Sequence, residues 1–281
     1  MTHLQSAADA DSRCNGASNV PCEPEVVQRR TPWLVRGFGR YLVRYLRRHV
    51  HAVRISRAGP APAPDGRPMV VYMNHPSWWD PLICIHLATT LYPRQEGYGP
   101  IDAAVLGSYR FFERIGLFGV EQDTARGART FLRTSEAILR DPDRMLWITA
   151  EGFFTDPRQR PVVLRPGIGH LAYRNAGIRL VPLAIEITFW DQRTPEVLLR
   201  FGESIEPDAS CPRSAVQWTR HLAGQLERTM DALAAEAMQR HGGAFDVLLA
   251  SRPGVGGIYD MWRRLKALLR GERFRPEHGR T

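Results

Sequence analysis

Lysine is almost missing from this chain. Lys266 stands alone among 38 basic side chains, so arginine carries nearly all of the positive charge. The formal net charge of +9 favours anionic partners such as phospholipid headgroups, nucleic acid or phosphorylated cofactors. No nucleic-acid recognition motif accompanies that charge, and nucleic acid is not expected as a partner. Cysteine is scarce as well. Cys14, Cys22, Cys84 and Cys211 lack the paired spacing of a metal-binding module, which favours a reduced, cytoplasmic setting. No uninterrupted apolar run approaches the roughly 18 residues that cross a bilayer. With Asp9 and Asp11 and no apolar stretch in the first residues, a secretory signal is not expected there. Any membrane contact is therefore expected to be peripheral, on the inner face of the cell membrane. Metal-ligand constellations, glycine-rich phosphate loops and internal repeats are also absent, and neither a metal nor a bound cofactor is expected.

With 281 residues and 43% hydrophobic content, the chain can bury a substantial core. Residues 1–30 are polar and aperiodic and read as a disordered tail. Residues 31–58 form a basic amphipathic helical segment, with Leu34, Phe38, Tyr41, Leu42 and Tyr45 on one face. Arg36, Arg40, Arg44 and Arg47 follow the same period on the other face. This pattern fits a helix packed on the core with a solvated arginine side, and equally a helix lying on anionic lipid. After the Pro/Gly connector Gly59–Pro68, residues 66–208 alternate strands with helices. Strands are expected at Met69–Met73, Met145–Thr149, Leu180–Ile187 and, more weakly, Glu196–Phe201. A helix from about Thr124 to Leu139 lies between the first two strands. The expected fold class is α/β, a central, mostly parallel sheet flanked by helices, with amphipathic helices at both ends. Residues 209–281 read as a C-terminal helical region packed on the core. It would comprise a long helix from about Pro212 to Arg240, stopped by Gly242 and Gly243, and a basic amphipathic stretch over Tyr259–Arg270.

The most informative stretch is VVYMNHPSWWDPL, Val70–Leu82. A buried strand ends in His75 at the carboxyl side, where open α/β sheets build their sites, and Asp80 follows five residues later, within reach if a short turn follows Pro76. A carboxylate on one imidazole nitrogen sets the tautomer and leaves the other nitrogen to accept a proton. Such a pair can deprotonate a hydroxyl directly, so the chemistry indicated is acyl transfer without a covalent acyl-enzyme. Trp78 and Trp79, inside the stretch, fit either a substrate channel or packing that stiffens the loop.

NHPSWWD also resembles the H-x-x-x-x-D signature of the glycerolipid and lysophospholipid acyltransferases, which include the 1-acylglycerol-3-phosphate acyltransferases. Three further blocks keep the family's order. AEGFFTD from Ala150 is similar to its P-E-G-T-R-S block, LRPGIGHLA from Leu164 to its basic and glycine segment, and VPLAI from Val181 to its V-P-V-A-I strand. The resemblance covers about residues 70–186. It implies that His75 is the general base, that Asp80 orients it, and that Glu151 and Gly152 shape the acceptor pocket. Arg165 and Gly167 would lie near the same pocket, with Pro182 behind it. The acyl group would come from a thioester, acyl-CoA or acyl carrier protein, and the partners implied are an anionic membrane surface and a lipid-like acceptor.

The departures bear on the acceptor. Where the family has Thr-Arg-Ser, this chain has Phe153, Phe154 and Thr155, so the arginine expected to grip a phosphate is replaced. The block GLFGVEQD, Gly116–Asp123, closes on acidic and amide residues rather than arginine. Phe153 and Phe154 accordingly favour an uncharged acceptor, such as a lipid hydroxyl, a glycolipid sugar or an amino-acid lipid. Arg126, Arg129, Arg158 and Arg160 are the side chains that could replace the lost charge. An ordinary lysophosphatidate acyltransferase and a non-catalytic lipid-binding protein are the competing readings.

Overall fold

The computed structural model describes residues 23–207 and 213–251. In chain order these comprise α1 (Glu25–Arg29), α2 (Pro32–His49), β1 (Ala52–Ser56), β2 (Met69–Met73), α3 (Asp80–Leu91), β3 (Glu96–Asp102), α4 (Ala103–Ser108) and α5 (Phe111–Arg114). There follow β4 (Leu117–Val120), α6 (Ala125–Ile138), β5 (Arg144–Thr149), α7 (Pro166–Arg174), β6 (Arg179–Thr188), β7 (Glu196–Phe201), α8 (Ala215–Met238) and β8 (Phe245–Ala250). The strands form one eight-stranded sheet in the order β4-β3-β5-β2-β6-β7-β1-β8. Neighbours from β4 to β6 run parallel, as do β7 and β1; β6 with β7 and β1 with β8 are antiparallel. The α/β class with a mostly parallel central sheet is as expected.

Strand β2 sits at the centre, bonded to β5 on one side and β6 on the other, and all five of its residues are buried. Its near-continuous apolar run is what a parallel strand covered on both faces requires. Val70 and Tyr72 point into the layer made with α6, α7 and α8, beside Phe131, Leu171 and Leu222. Met69, Val71 and Met73 point into the layer made with α2 and α3, beside Leu42, Leu46, Ile83 and Leu87. Helix starts are set by local chemistry: the Thr124 hydroxyl accepts the Gly127 N–H at the head of α6, and Ser214 and Gln217 form a reciprocal capping box on α8.

Several boundaries differ from expectation. Residues 23–30, read as tail, contain α1, whose Val26 is buried in the core. The helical reading of 31–58 holds only to His49, because Ala52–Ser56 pairs with β7 and β8 as an interior strand. The region from 209 onward is not wholly helical among its described residues. Helix α8 stops before Gly242, Arg240 turns the chain with a φ of 51°, and β8 then closes the sheet edge. β3 and β4 also lie outside the expected strands; Gly97, Gly99, Pro100 and Gly119 give them little strand propensity, and the order comes from pairing of β3 on β5 and of β4 on β3. The stretch Tyr259–Arg270 lies outside the described residues.

His86 on α3 is 2% exposed, and its Nε2 has no hydrogen-bond partner, while Nδ1 lies 3.3 Å from the Thr90 hydroxyl. Burial holds this imidazole below its ordinary pKa. The unfolded chain takes up a proton there as pH falls below about 6.5, and the folded chain resists doing so, so stability drops with acidification. His86→Leu is therefore expected to lose less melting temperature than the wild type between about pH 7 and about pH 5, as measured by thermal unfolding. An unchanged pH dependence would refute this role.

Candidate active site

The carboxyl ends of β2 and β5 place the predicted residues together. β2 runs out at Met73, and its ladder with β5 continues into the loops: the Ala150 N–H donates to the Met73 carbonyl at 3.0 Å, and the Thr155 N–H to the His75 carbonyl at 3.0 Å. Between these bonds His75 and Glu151 meet. The His75 N–H donates to Glu151 Oε2 at 2.6 Å, and Glu151 is buried. Glu151 thus braces the backbone of His75. Burial pushes the Glu151 carboxyl above its ordinary value, against the lowering effect of that N–H.

Asp80 opens α3 and is completely buried. Its Oδ2 accepts from His75 Nδ1 at 2.7 Å and from the Ser77 N–H at 3.0 Å; the Ser77 hydroxyl lies 3.3 Å from Oδ1. Burial pushes this carboxyl up, opposed chiefly by the His75 bond. A carboxylate on Nδ1 makes that nitrogen the protonated one and leaves Nε2 as the free acceptor. The arrangement can take a proton from a group presented to Nε2 and hold the resulting imidazolium beside a negative charge.

The remaining predicted residues border this pair in different ways. The Phe154 ring lies 4.4 Å, centroid to centroid, from the His75 imidazole, and it is 61% exposed. Phe153 is exposed too, with the Arg165 guanidinium 5.7 Å above its ring. Arg165 pairs with Asp123, and its side chain occupies the space a Cβ at Gly152 would take, 2.7 Å away. With a φ of 76°, Gly152 meets both demands. Gly167, in the first turn of α7, packs on the Phe131 ring, so its contact is with the core layer. Pro182 is buried in β6 opposite Tyr72. Trp79 packs on Tyr45 and His49 of α2, and Trp78 lies 4.8 Å from it, largely exposed. Of the arginines considered as replacements for lost phosphate ligands, Arg126 is near Glu121, Arg158 is paired with Asp156, and Arg160 with Asp231.

Sequence reasoning passed over three residues that shape the site. Asn74 is buried, donating to the Ile185 carbonyl at 2.9 Å and accepting the Ile185 N–H at 2.8 Å, so it mimics one further rung between β2 and β6. Ser77 holds Asp80, and Asp123 holds Arg165. Asn74 and Ser77 flank His75 in the motif, but nothing in their spacing tells which distant backbone Asn74 meets. A cavity of about 420 Å³ is lined by Pro81, which follows Asp80 directly in the chain, and by Cys84, Ala88, Gly97, Trp147 and Thr149. No group of His, Cys, Asp and Glu able to hold a metal occurs among the described residues.

Residues 53–186, from β1 into β6, match the family model described as Acyltransferase. No curated protein matches the chain.

Asn74→Ala would leave the N–H and carbonyl of Ile185 buried without partners. It is expected to cost about 2 kcal/mol or more in urea unfolding, each unpaired buried group contributing about 1–3 kcal/mol. A loss below about 0.5 kcal/mol, the usual range of surface substitutions, would exclude the clamp.

Proposed function

We propose, from the match of residues 53–186 to the family model described as Acyltransferase, that this protein transfers a fatty acyl group from a thioester to the hydroxyl of a lipid-like acceptor, with His75 as general base. The observation that carries this reading is the 2.7 Å contact between His75 Nδ1 and the buried Asp80 carboxylate. His75 Nε2 removes the acceptor proton as the hydroxyl oxygen attacks the thioester carbonyl. The tetrahedral adduct then collapses, the carbon–sulfur bond breaks, and the proton on Nε2 passes to the departing thiolate. The products are an ester and a free thiol. Asp80 stabilises the imidazolium between the two steps, and Glu151, with the Thr155 N–H, keeps the His75 backbone still while its ring changes charge.

The cavity suits the acyl chain of the donor. Its walls are mainly apolar, and they include Pro81, next to Asp80 in the chain, and Thr149, two residues before Glu151. The thioester itself is acyl-CoA or an acyl carrier protein, both of which satisfy the same chemistry at His75.

The acceptor is read from Phe153 and Phe154. An aromatic ring against the base offers no counter-charge to a phosphate, and Asp123, Asp156 and Asp231 already engage the neighbouring guanidinium groups. A hydroxyl whose surroundings are uncharged, such as one on a glycolipid, an amino-acid lipid or a lipid chain, therefore fits better than lysophosphatidate.

Free-thiol release from acyl-CoA, measured against a panel of lyso-lipid and glycolipid acceptors, tests the reaction. His75→Ala is expected to lower turnover by about 10²–10⁴-fold with an unchanged circular dichroism spectrum. Wild-type turnover in that variant would remove the base assignment. Phe154→Arg supplies the missing fork and should raise the preference for a phosphate-bearing acceptor over an uncharged one by about ten-fold. No change in that ratio would count against the acceptor reading.

A further inference from the structure

We infer that the outward face of α2 is a docking surface for a bilayer containing anionic phospholipid, and that it seats the protein with its catalytic loop beside the lipid. Five arginines, Arg36, Arg40, Arg44, Arg47 and Arg48, lie exposed along this helix, whose 18 residues include no acidic side chain. Among the described residues none of the five guanidinium groups has an ion-pair or hydrogen-bond partner, although arginines elsewhere in the fold are repeatedly paired with carboxylates. The opposite face is committed to the core through Leu42 and Leu46, so the arginines are held in one plane by a packed helix.

Charge alone would also suit an acidic protein or a nucleic acid. What distinguishes a bilayer is the company the arginines keep. Trp33 is 65% exposed and Tyr41 56% exposed on the same helix, large amphipathic rings of the kind that settle at a membrane–water interface. Tyr41 also belongs to a chain of ring contacts, from Phe111 through Phe38, Tyr41 and Tyr45 to Trp79 and Trp78, with successive centroids 4.8–6.0 Å apart. The chain ends three residues from His75. The cavity is lined at one end by Pro32, Val35 and Arg36, the start of the same helix. A bilayer against α2 would thus touch both the cavity rim and the loop that carries the base. Only this orientation rests on the lipid acceptor of the proposed function; the binding itself does not.

The test uses the full chain and sedimentation with phosphatidylcholine vesicles, with and without phosphatidylglycerol, at about 0.1 M and about 1 M salt. The wild type should bind the anionic vesicles and release them at high salt. The triple variant Arg40→Gln/Arg44→Gln/Arg47→Gln should bind them at least about ten-fold more weakly, since each arginine near such a surface contributes appreciably. Trp33→Ala should weaken binding by a factor that high salt does not erase. Wild-type vesicle binding by the triple variant, or equal wild-type binding to neutral and anionic vesicles, would overturn the inference. So would an arginine dependence seen with DNA or an acidic carrier protein and not with vesicles. Thiol release from water-soluble, short-chain substrates separates this surface from the chemistry. It should be equal in wild type and triple variant, whereas failure of the proposed reaction would abolish it in both and leave vesicle binding intact.

Discussion

A carboxylate sealed from solvent needs partners, and the loop after β2 is organised around meeting that need for Asp80. With no water to solvate it, the carboxyl relies on His75 Nδ1, the Ser77 N–H and the Ser77 hydroxyl. Each partner carries a structural consequence. The His75 bond sets the tautomer, the Ser77 bonds tighten the turn, and the position of Asp80 in the first turn of α3 sets a negative group where a helix favours one. Trp79, one residue earlier, wedges the same turn against α2. A base with a fixed proton and a fixed direction results from satisfying one buried charge.

That loop is in turn fastened to the sheet by backbone rather than by side-chain packing alone. Asn74 extends the pairing of β2 with β6, and Glu151 and the Thr155 N–H extend its pairing with β5. His75 therefore hangs between two strands. The proton transfer proposed for His75 would ask for this kind of rigidity, because a displacement of about 1 Å is enough to cost about two orders of magnitude in rate. Phe154 lies outside this bracing, exposed and against the imidazole, where an acceptor would meet it first.

Much of this was legible along the chain. Val70–Tyr72 is apolar without alternation, the mark of a strand covered on both faces, and the five-residue interval from His75 to Asp80 leaves room for the short turn that joins them. Thr124 and Pro142 bracket α6 as capping rules require. The misread stretches were those whose order comes from elsewhere. Ala52–Ser56 becomes a strand because β7 and β8 close on both sides of it, and β3 holds its shape despite two glycines because β5 supplies the ladder. Val26 orders its short helix by burial in the core, which a polar, aperiodic neighbourhood conceals.

By itself the sequence determined the likeness to the acyltransferases, since His75 and Asp80 at the end of a buried strand keep company with AEGFFTD, LRPGIGHLA and VPLAI, and residues 53–186 match that family's model. It also determined, through a net charge of +9 carried almost wholly by arginine, that the chain would be strongly basic. Only the tertiary structure decided what each charge and ring is used for. It turned Glu151 toward the His75 backbone, packed Gly167 on Phe131, tied Arg158, Arg160 and Arg165 to carboxylates, and left Arg36, Arg40, Arg44, Arg47 and Arg48 of α2 without a side-chain partner among the described residues. The reason is physical: the identity of a residue states which bonds it can make, while its partner is chosen by which distant segment the sheet and its helices bring within 3 Å.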